Sequence, residues 1–352
     1  MKRRIACASA MVTLLTSAAA FPCGMSFGNN VTIDPHQDII VAWKDGIETY
    51  AFQPTFCGTA TDFGLILPVP AQLSKSPDNT TTDPQAFAAA ATLSEPYKHQ
   101  VTEQSNVAGC ATTGSGSENL AGGTDDSPAV VASGRVGFLD WVELKASTES
   151  SFTDWLTANG YAYPSAASSV FSYYVTKGWY FLAFRISQAA VSGNGTVCRA
   201  LGPVVLSFPS SAPVVPSRMA AADSTSSYSR VTWRIFGITD GDVQLTFPAT
   251  NSYDQVLWYS GAIKDADIAS FGGLAQSGDR LTRLTYSFYK GSVTADVDLA
   301  LAPAKDYRGT EDVVVHDDSA CSIRPYSRSH SGLLSLAGLS MVALFAWRRC
   351  RS

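Results

Sequence analysis

Residues 39–70 read IIVAWKDGIETYAFQPTFCGTATDFGLILPVP, a β-rich segment with two turn signals. Residues 38–43 (DIIVAW) are a β-rich run. Lys44-Asp45-Gly46 then supplies an Asp-Gly turn, where glycine takes a positive φ without a Cβ penalty. Residues 47–52 (IETYAF) return as a second strand. Residues 63–70 (FGLILPVP) form a third strand, apolar on both faces and stopped by its prolines, which predicts a position inside a sheet. Together the three predict a β-meander.

Downstream, Asp83-Pro84 opens a helix through Leu93, with Asp83 capping free N–H groups and Pro84 tolerated in the first turn. Residues 109–128 are a loop by composition. Strand-like sequence follows over 130–145. A helix over 149–159 carries Phe152, Trp155 and Leu156 at helical spacing and ends at Gly160. A second short helix over 164–175 closes at Lys177-Gly178. Strands are predicted at 179–186, 204–208, 228–236, 243–247, 255–259 and 281–289. The expected class is α+β, mainly antiparallel β-sheet with a few short helices, with an N-terminal signal peptide and a C-terminal apolar helix added.

Those two additions come from the ends. Met1-Lys2-Arg3-Arg4 is a positive n-region, an apolar stretch follows, and Ala18-Ala19-Ala20 offers the small residues of a signal-peptidase site. Cleavage is expected at Ala20. At the other end residues 332–347 (GLLSLAGLSMVALFAW) are uncharged, and Arg348, Arg349 and Arg351 follow. At about 1.5 Å per residue this run falls somewhat short of the roughly 30 Å hydrocarbon core, a gap that flanking residues or local thinning closes. Clustered arginines favour the cytoplasmic side, which leaves the main domain outside. The expected organisation is signal peptide 1–20, exported α+β domain 21–308, polar tether 309–331, transmembrane or sorting helix 332–347 and basic cytoplasmic end 348–352.

The chain carries a net charge of −5. Six of its 25 basic residues lie in the two terminal signals, which contain no acid, so the remainder holds 19 basic against 30 acidic residues, a net −11. That balance argues against nucleic acid as a partner, because phosphate binding rests on Lys and Arg. Cys23, Cys57, Cys110 and Cys198 fall in the exported domain, an even number suited to disulfides in an oxidising compartment. Four cysteines allow three connectivities. The sequence guess is Cys23 with Cys57, both flanking the first strands, and Cys110 with Cys198.

The commonest catalytic signatures are missing. The four histidines (His36, His99, His316, His330) are isolated, and HExxH, GxSxG, the P-loop and GxGxxG after a strand are absent. Asp265 and Asp267 lack the glycine turn and terminal glutamate of an EF-hand. Asp296 and Asp298 alternate and are expected on a solvated strand face. Tyr173-Tyr174 and Trp179-Tyr180-Phe181 are expected to pack in the core, with a sugar-binding surface as the alternative. No catalytic, metal-binding or cofactor-binding residue is assigned, and no cofactor is expected.

Two stretches, residues 39–70 and residues 152–218 (with DWLTANGY, GWYFLAFRIS and LGPVVLSFPSSAPVVPSRM), resemble the domain-of-unknown-function family 2330 of bacterial exported proteins in order and spacing. That family has no assigned activity, so the resemblance implies no site residue. The C-terminus resembles the myxobacterial C-terminal sorting signal: Cys321, the spacer SIRPYSRSHS, the apolar run 332–347, then arginines. This resemblance implies cleavage by a sorting protease and surface display with Cys321 modified; a plain membrane anchor is the alternative. The function expected is a non-enzymatic cell-envelope protein displaying a binding or structural domain. Its partners would be the membrane through the C-terminal helix, signal peptidase, a sorting protease and a protein or glycan ligand. The alternative is an envelope hydrolase with a carboxylate-based site.

Overall fold

A computed structural model of the chain describes residues 25–27, 31–33, 37–53, 55–58, 64–78, 85–103, 127–161, 163–186, 197–200, 202–222, 230–248, 254–289 and 292–316. Strands are numbered along the chain. One large sheet runs in the order β1 (Met25–Phe27), β6 (Gly64–Val69), β10 (Tyr180–Ile186), β9 (Leu139–Lys145), β8 (Ala129–Val136). The other runs β12 (Val204–Pro209), β4 (Ile47–Phe52), β3 (Gln37–Lys44), β14 (Arg230–Asp240), β17 (Asp279–Tyr289), β16 (Gln255–Ala262), β20 (Tyr307–Arg308). All neighbours in these two sheets are antiparallel except β3 with β14. A small three-stranded sheet joins β11 (Val197–Ala200), β5 (Thr55–Gly58) and β2 (Val31–Ile33). Three ribbons pair β13 (Val214–Val215) with β18 (Val297–Asp298), β15 (Val243–Thr246) with β19 (Ala300–Pro303), and β7 (Tyr97–Glu103) with β21 (Thr310–His316).

The Asp-Gly turn forms as its residues dictate. Asp45 and Gly46 have φ of 49° and 76°, the two positive values a tight hairpin needs, and they set β3 against β4 with Lys44 opposite Ile47. The chain then departs from a meander. The other neighbour of β4 is β12, while β6 crosses into the opposite sheet between β1 and β10. Every residue of β6 is buried, as its two-sided apolar run requires.

Period-two alternation explains the layering. Leu65, Leu67 and Val69 of β6 and Leu182, Phe184 and Ile186 of β10 share one buried cluster with Ile39 and Val41 of β3 and Val231, Trp233 and Ile235 of β14, so the two large sheets pack face to face. The intervening residues point outward to helices. Ile66, Phe181 and Ala183 lie under α2 (Glu149–Ala158) and α3 (Ala167–Thr176), which contribute Phe152, Leu156, Phe171 and Tyr174. Ile40, Ala51, Phe236 and Ile238 lie under α1 (Gln85–Leu93) and the 3-10 turn Ile268–Phe271, through Ala86, Phe87, Ala90 and Phe271. The result is a four-layer sandwich, helices, sheet, sheet, helices, within which each fully buried Leu, Ile or Phe contributes about 1.5–3 kcal/mol. Local signals fix the helix ends: Thr148 and Ser151 form a reciprocal capping box at the start of α2, and Gly160, at φ 73°, follows its end.

Two compact units result, Met1–His99 with Ala111–Asp312, and Gln100–Cys110 with Val313–Ser352. Of the second, the described residues are the later parts of β7 and β21. Residues 310–316, expected to open the polar tether, are strand β21. Among the described residues no helix is long and apolar enough to cross a membrane. The expected signal peptide, the apolar run 332–347 and the basic end 348–352 lie outside the described residues.

Candidate functional site

Among the described residues a dense cluster of polar chemistry is centred on Asp296, which the sequence placed on a solvated strand face and which is instead buried, its side chain 1% exposed. Three elements build it. The C-terminal part of α3 carries Tyr173, Tyr174 and, at its end, Lys177. The β13–β18 ribbon sets Val215 against Val297, so Ser217 and Arg218 just after β13 meet residues 294–296 just before β18. The Ser217 hydroxyl donates to the Ala295 carbonyl at 3.2 Å, and the Arg218 guanidinium donates to the Thr294 carbonyl.

Four donors converge on the carboxylate. Tyr174 Oη donates to Oδ1, and the Arg218 backbone N–H approaches the same oxygen at 3.3 Å. Tyr173 Oη and Lys177 Nζ each lie 3.2 Å from Oδ2, and Lys177 donates also to Tyr173 Oη at 3.0 Å. Burial, then the Asp296 charge, pushes the Tyr174 phenol well above its ordinary 10.0, so it remains a donor. Burial pulls the Lys177 amine down, but its bond to Tyr173 and the Asp296 charge more than offset that, and its pKa is raised. Cationic groups also stack on the rings here, Lys177 over Trp179 at 4.5 Å and Arg218 over Tyr173 at 4.3 Å. An acid this enclosed and this fully bonded acts as a clamp between α3, the Ser217–Ala222 turn and the segment before β18. It has no acceptor left for a substrate.

A second buried acid behaves differently. Glu48 on β4 is fully buried, and its Oε2 accepts from the Val214 N–H at 3.0 Å, while Oε1 has no partner among the described residues. Burial, opposed by that one bond, raises its pKa well above 4.5. Val214 also lines a narrow apolar cleft with Tyr50, Val69, Trp179, Phe208 and Pro216, which leaves no room for a water-sized molecule. Glu143 on β9 is 1% exposed, raised by burial and restrained by the Leu73 N–H at 2.8 Å.

The aromatic run divides. Tyr174, Trp179 and Phe181 are core, while the partly exposed Tyr173 joins the Asp296 centre. Asp265 is bonded by Ser277 at 2.7 Å, away from this centre, and Asp298 is exposed on β18. Among the described residues no three His, Cys, Asp or Glu groups are placed to hold a metal. Cys57 and Cys198, guessed in different bridges, are direct register partners of β5 and β11. Ala20, Cys23, Cys110 and Cys321 lie outside the described residues. Glu48, Glu143 and Arg218 were not singled out by sequence, because a lone charged residue in a β-rich run or a turn carries no sign of its tertiary partners.

These features define a class: a mainly-β four-layer domain whose polar centre around Asp296 is turned inward. The chain belongs to the family of uncharacterized proteins conserved in bacteria (DUF2330), whose family model matches residues 17–301. No curated protein and no solved structure matches it.

Proposed function

We propose that this chain is an exported cell-envelope protein whose four-layer domain is a non-enzymatic binding or structural module held outside the cytoplasm. The observation that carries the non-enzymatic part is the saturation of Asp296: among the described residues, this cluster of carboxylate, phenols and an amine spends its bonds on the chain itself. Export is supported by the n-region and Ala18-Ala19-Ala20 at one end and the apolar run and arginines at the other. The sorting analogy at Cys321 makes the cell surface the destination; a retained apolar helix makes it the outer face of the inner membrane.

A second reading, an envelope hydrolase working through a carboxylate, has Glu48 as its candidate acid, with a raised pKa and an unpartnered oxygen, although the cleft beside it leaves no room for a water-sized molecule. Fractionation of bacteria producing the full chain tests the first reading. The domain is expected in the membrane fraction and open to protease added outside the inner membrane; recovery from the cytoplasm overturns it. Turnover in a hydrolase panel that is abolished by Glu48→Gln, with the fold intact, replaces it by the second.

A further inference from the structure

In the small three-stranded sheet, β11 runs antiparallel to β5 with Val197 opposite Gly58, Cys198 opposite Cys57 and Arg199 opposite Phe56. Residues directly opposed across an antiparallel pair have Cα atoms about 4.5 or 5.5 Å apart, according to the type of pair. A disulfide needs a Cα separation of about 4.4–6.8 Å, so either type brings two opposed cysteines within bridging range without backbone movement. By contrast, the strand that follows Cys23, β1, pairs with β6 in the five-stranded sheet and not with β5. The register thus favours one of the three connectivities and disfavours the one guessed from sequence.

We propose that Cys57 and Cys198 form a cross-strand disulfide that fastens β11 to β5. The proposal rests on the export reading, because a cytoplasmic thiol pool keeps such cysteines reduced. The chemistry is thiol–disulfide exchange. The two thiols lose two protons and two electrons as the S–S bond forms, and the electrons reduce a disulfide oxidant, a protein or glutathione disulfide of the envelope, to two thiols. The bridge closes a loop from residue 57 to residue 198, a long closure of the kind that most restricts the unfolded chain. It also secures the β2–β5–β11 sheet, whose strands are only three or four residues long.

Trypsin, cutting after Lys and Arg, isolates the four exported cysteines from one another. Cys57 falls in 45–75, Cys198 in 186–199, Cys110 in 99–135, and Cys23 in the peptide ending at Lys44. The full chain is to be blocked with an alkylating agent without reduction, digested and mapped, in two arms. The first uses chain purified reduced and then oxidised in a glutathione redox buffer. Peptide 45–75 linked to 186–199 is the expected result. A link from 45–75 to the Cys23 peptide, or from 99–135 to 186–199, overturns the proposal, as do free thiols at both positions. The second arm uses chain taken from the envelope of producing cells. The same link there supports both readings. Free thiols there, with the link formed in the first arm, overturn the export reading and leave the register-based pairing intact. As an independent check, reduction, Cys57→Ser and Cys198→Ser are each expected to lower the melting temperature by roughly 5–10 °C, with the double variant no worse than either single one. Additive losses would count against a shared bond.

Discussion

Replacing Asp296 by alanine removes the acceptor on which four donors converge. The cost follows from how those donors are placed. Tyr174 is fully buried, so its hydroxyl is left without water, and the Arg218 N–H is partly buried; each such orphan costs about 1–3 kcal/mol. Tyr173 and Lys177 are partly exposed, with the Lys177 side chain at 35%, so water takes over most of what they lose. Relief of the buried negative charge offsets part of the penalty. A net loss of about 3 kcal/mol is expected for Asp296→Ala, seen as a fall of roughly 5 °C in melting temperature for a domain of this size. Asp296→Asn keeps one carbonyl acceptor and should cost about half as much. Tyr174→Phe removes a single donor and should cost about 1 kcal/mol. Urea unfolding followed by tryptophan fluorescence measures all three, and the Asp296→Ala/Tyr174→Phe double variant should show a coupling of at least about 0.5 kcal/mol. If Asp296→Ala unfolds within about 0.5 kcal/mol of the parent, the centre is not a clamp and the case for an inward-turned, structural cluster fails.

Other consequences concern single residues. Glu48 binds a proton more tightly folded than unfolded, so its contribution to stability falls as pH rises above its ordinary 4.5, by up to about 1.4 kcal/mol per pH unit until the raised folded pKa is reached. Glu48→Gln should therefore be near neutral at pH 4 and stabilising at pH 8, with the stability curve flattened between them; an equal effect at both pH values would refute this. A Cβ at Gly237, in the middle of β14, would lie 2.4 Å from Leu245 Cδ1 and 2.9 Å from Leu245 Cβ. Gly237→Ala should destabilise by about 1–3 kcal/mol through forced movement of β15, and pairing it with Leu245→Ala should recover part of that loss in the same unfolding assay.

The sequence was most readable where local chemistry and tertiary context agree. Asp45-Gly46 dictates its turn, the continuous apolar run 64–69 dictates burial on two faces, and Phe152, Leu156 and Gly160 mark one face and the end of α2. Sheet membership was not readable, because an apolar strand reads the same whether it lies beside β4 or in the sheet packed against it. Asp296 was misplaced for a related reason. Alternation with Asp298 suggested a wet face, but its surroundings are set by tyrosines more than a hundred residues earlier, which no spacing reveals. The polar sequence of β21 reads as a tether because the described side chains of a two-stranded ribbon, Thr310, Asp312 and Val313 among them, remain exposed, so no hydrophobic alternation is imposed. The proposed pairing of Cys57 with Cys198 rests on the register of β5 against β11, information that resides in the fold and not in the spacing of the four residues.

Export of the domain, and action outside the cytoplasm, is the proposal on which the rest depends. Intact mass of the chain recovered from its native envelope, alkylated before and after reduction, tests it most directly. If the domain is exported, the chain begins near Phe21 and gains alkyl groups on Cys23, Cys57, Cys110 and Cys198 only after reduction. A chain that retains Met1 and is alkylated at Cys57 and Cys198 without reduction contradicts it.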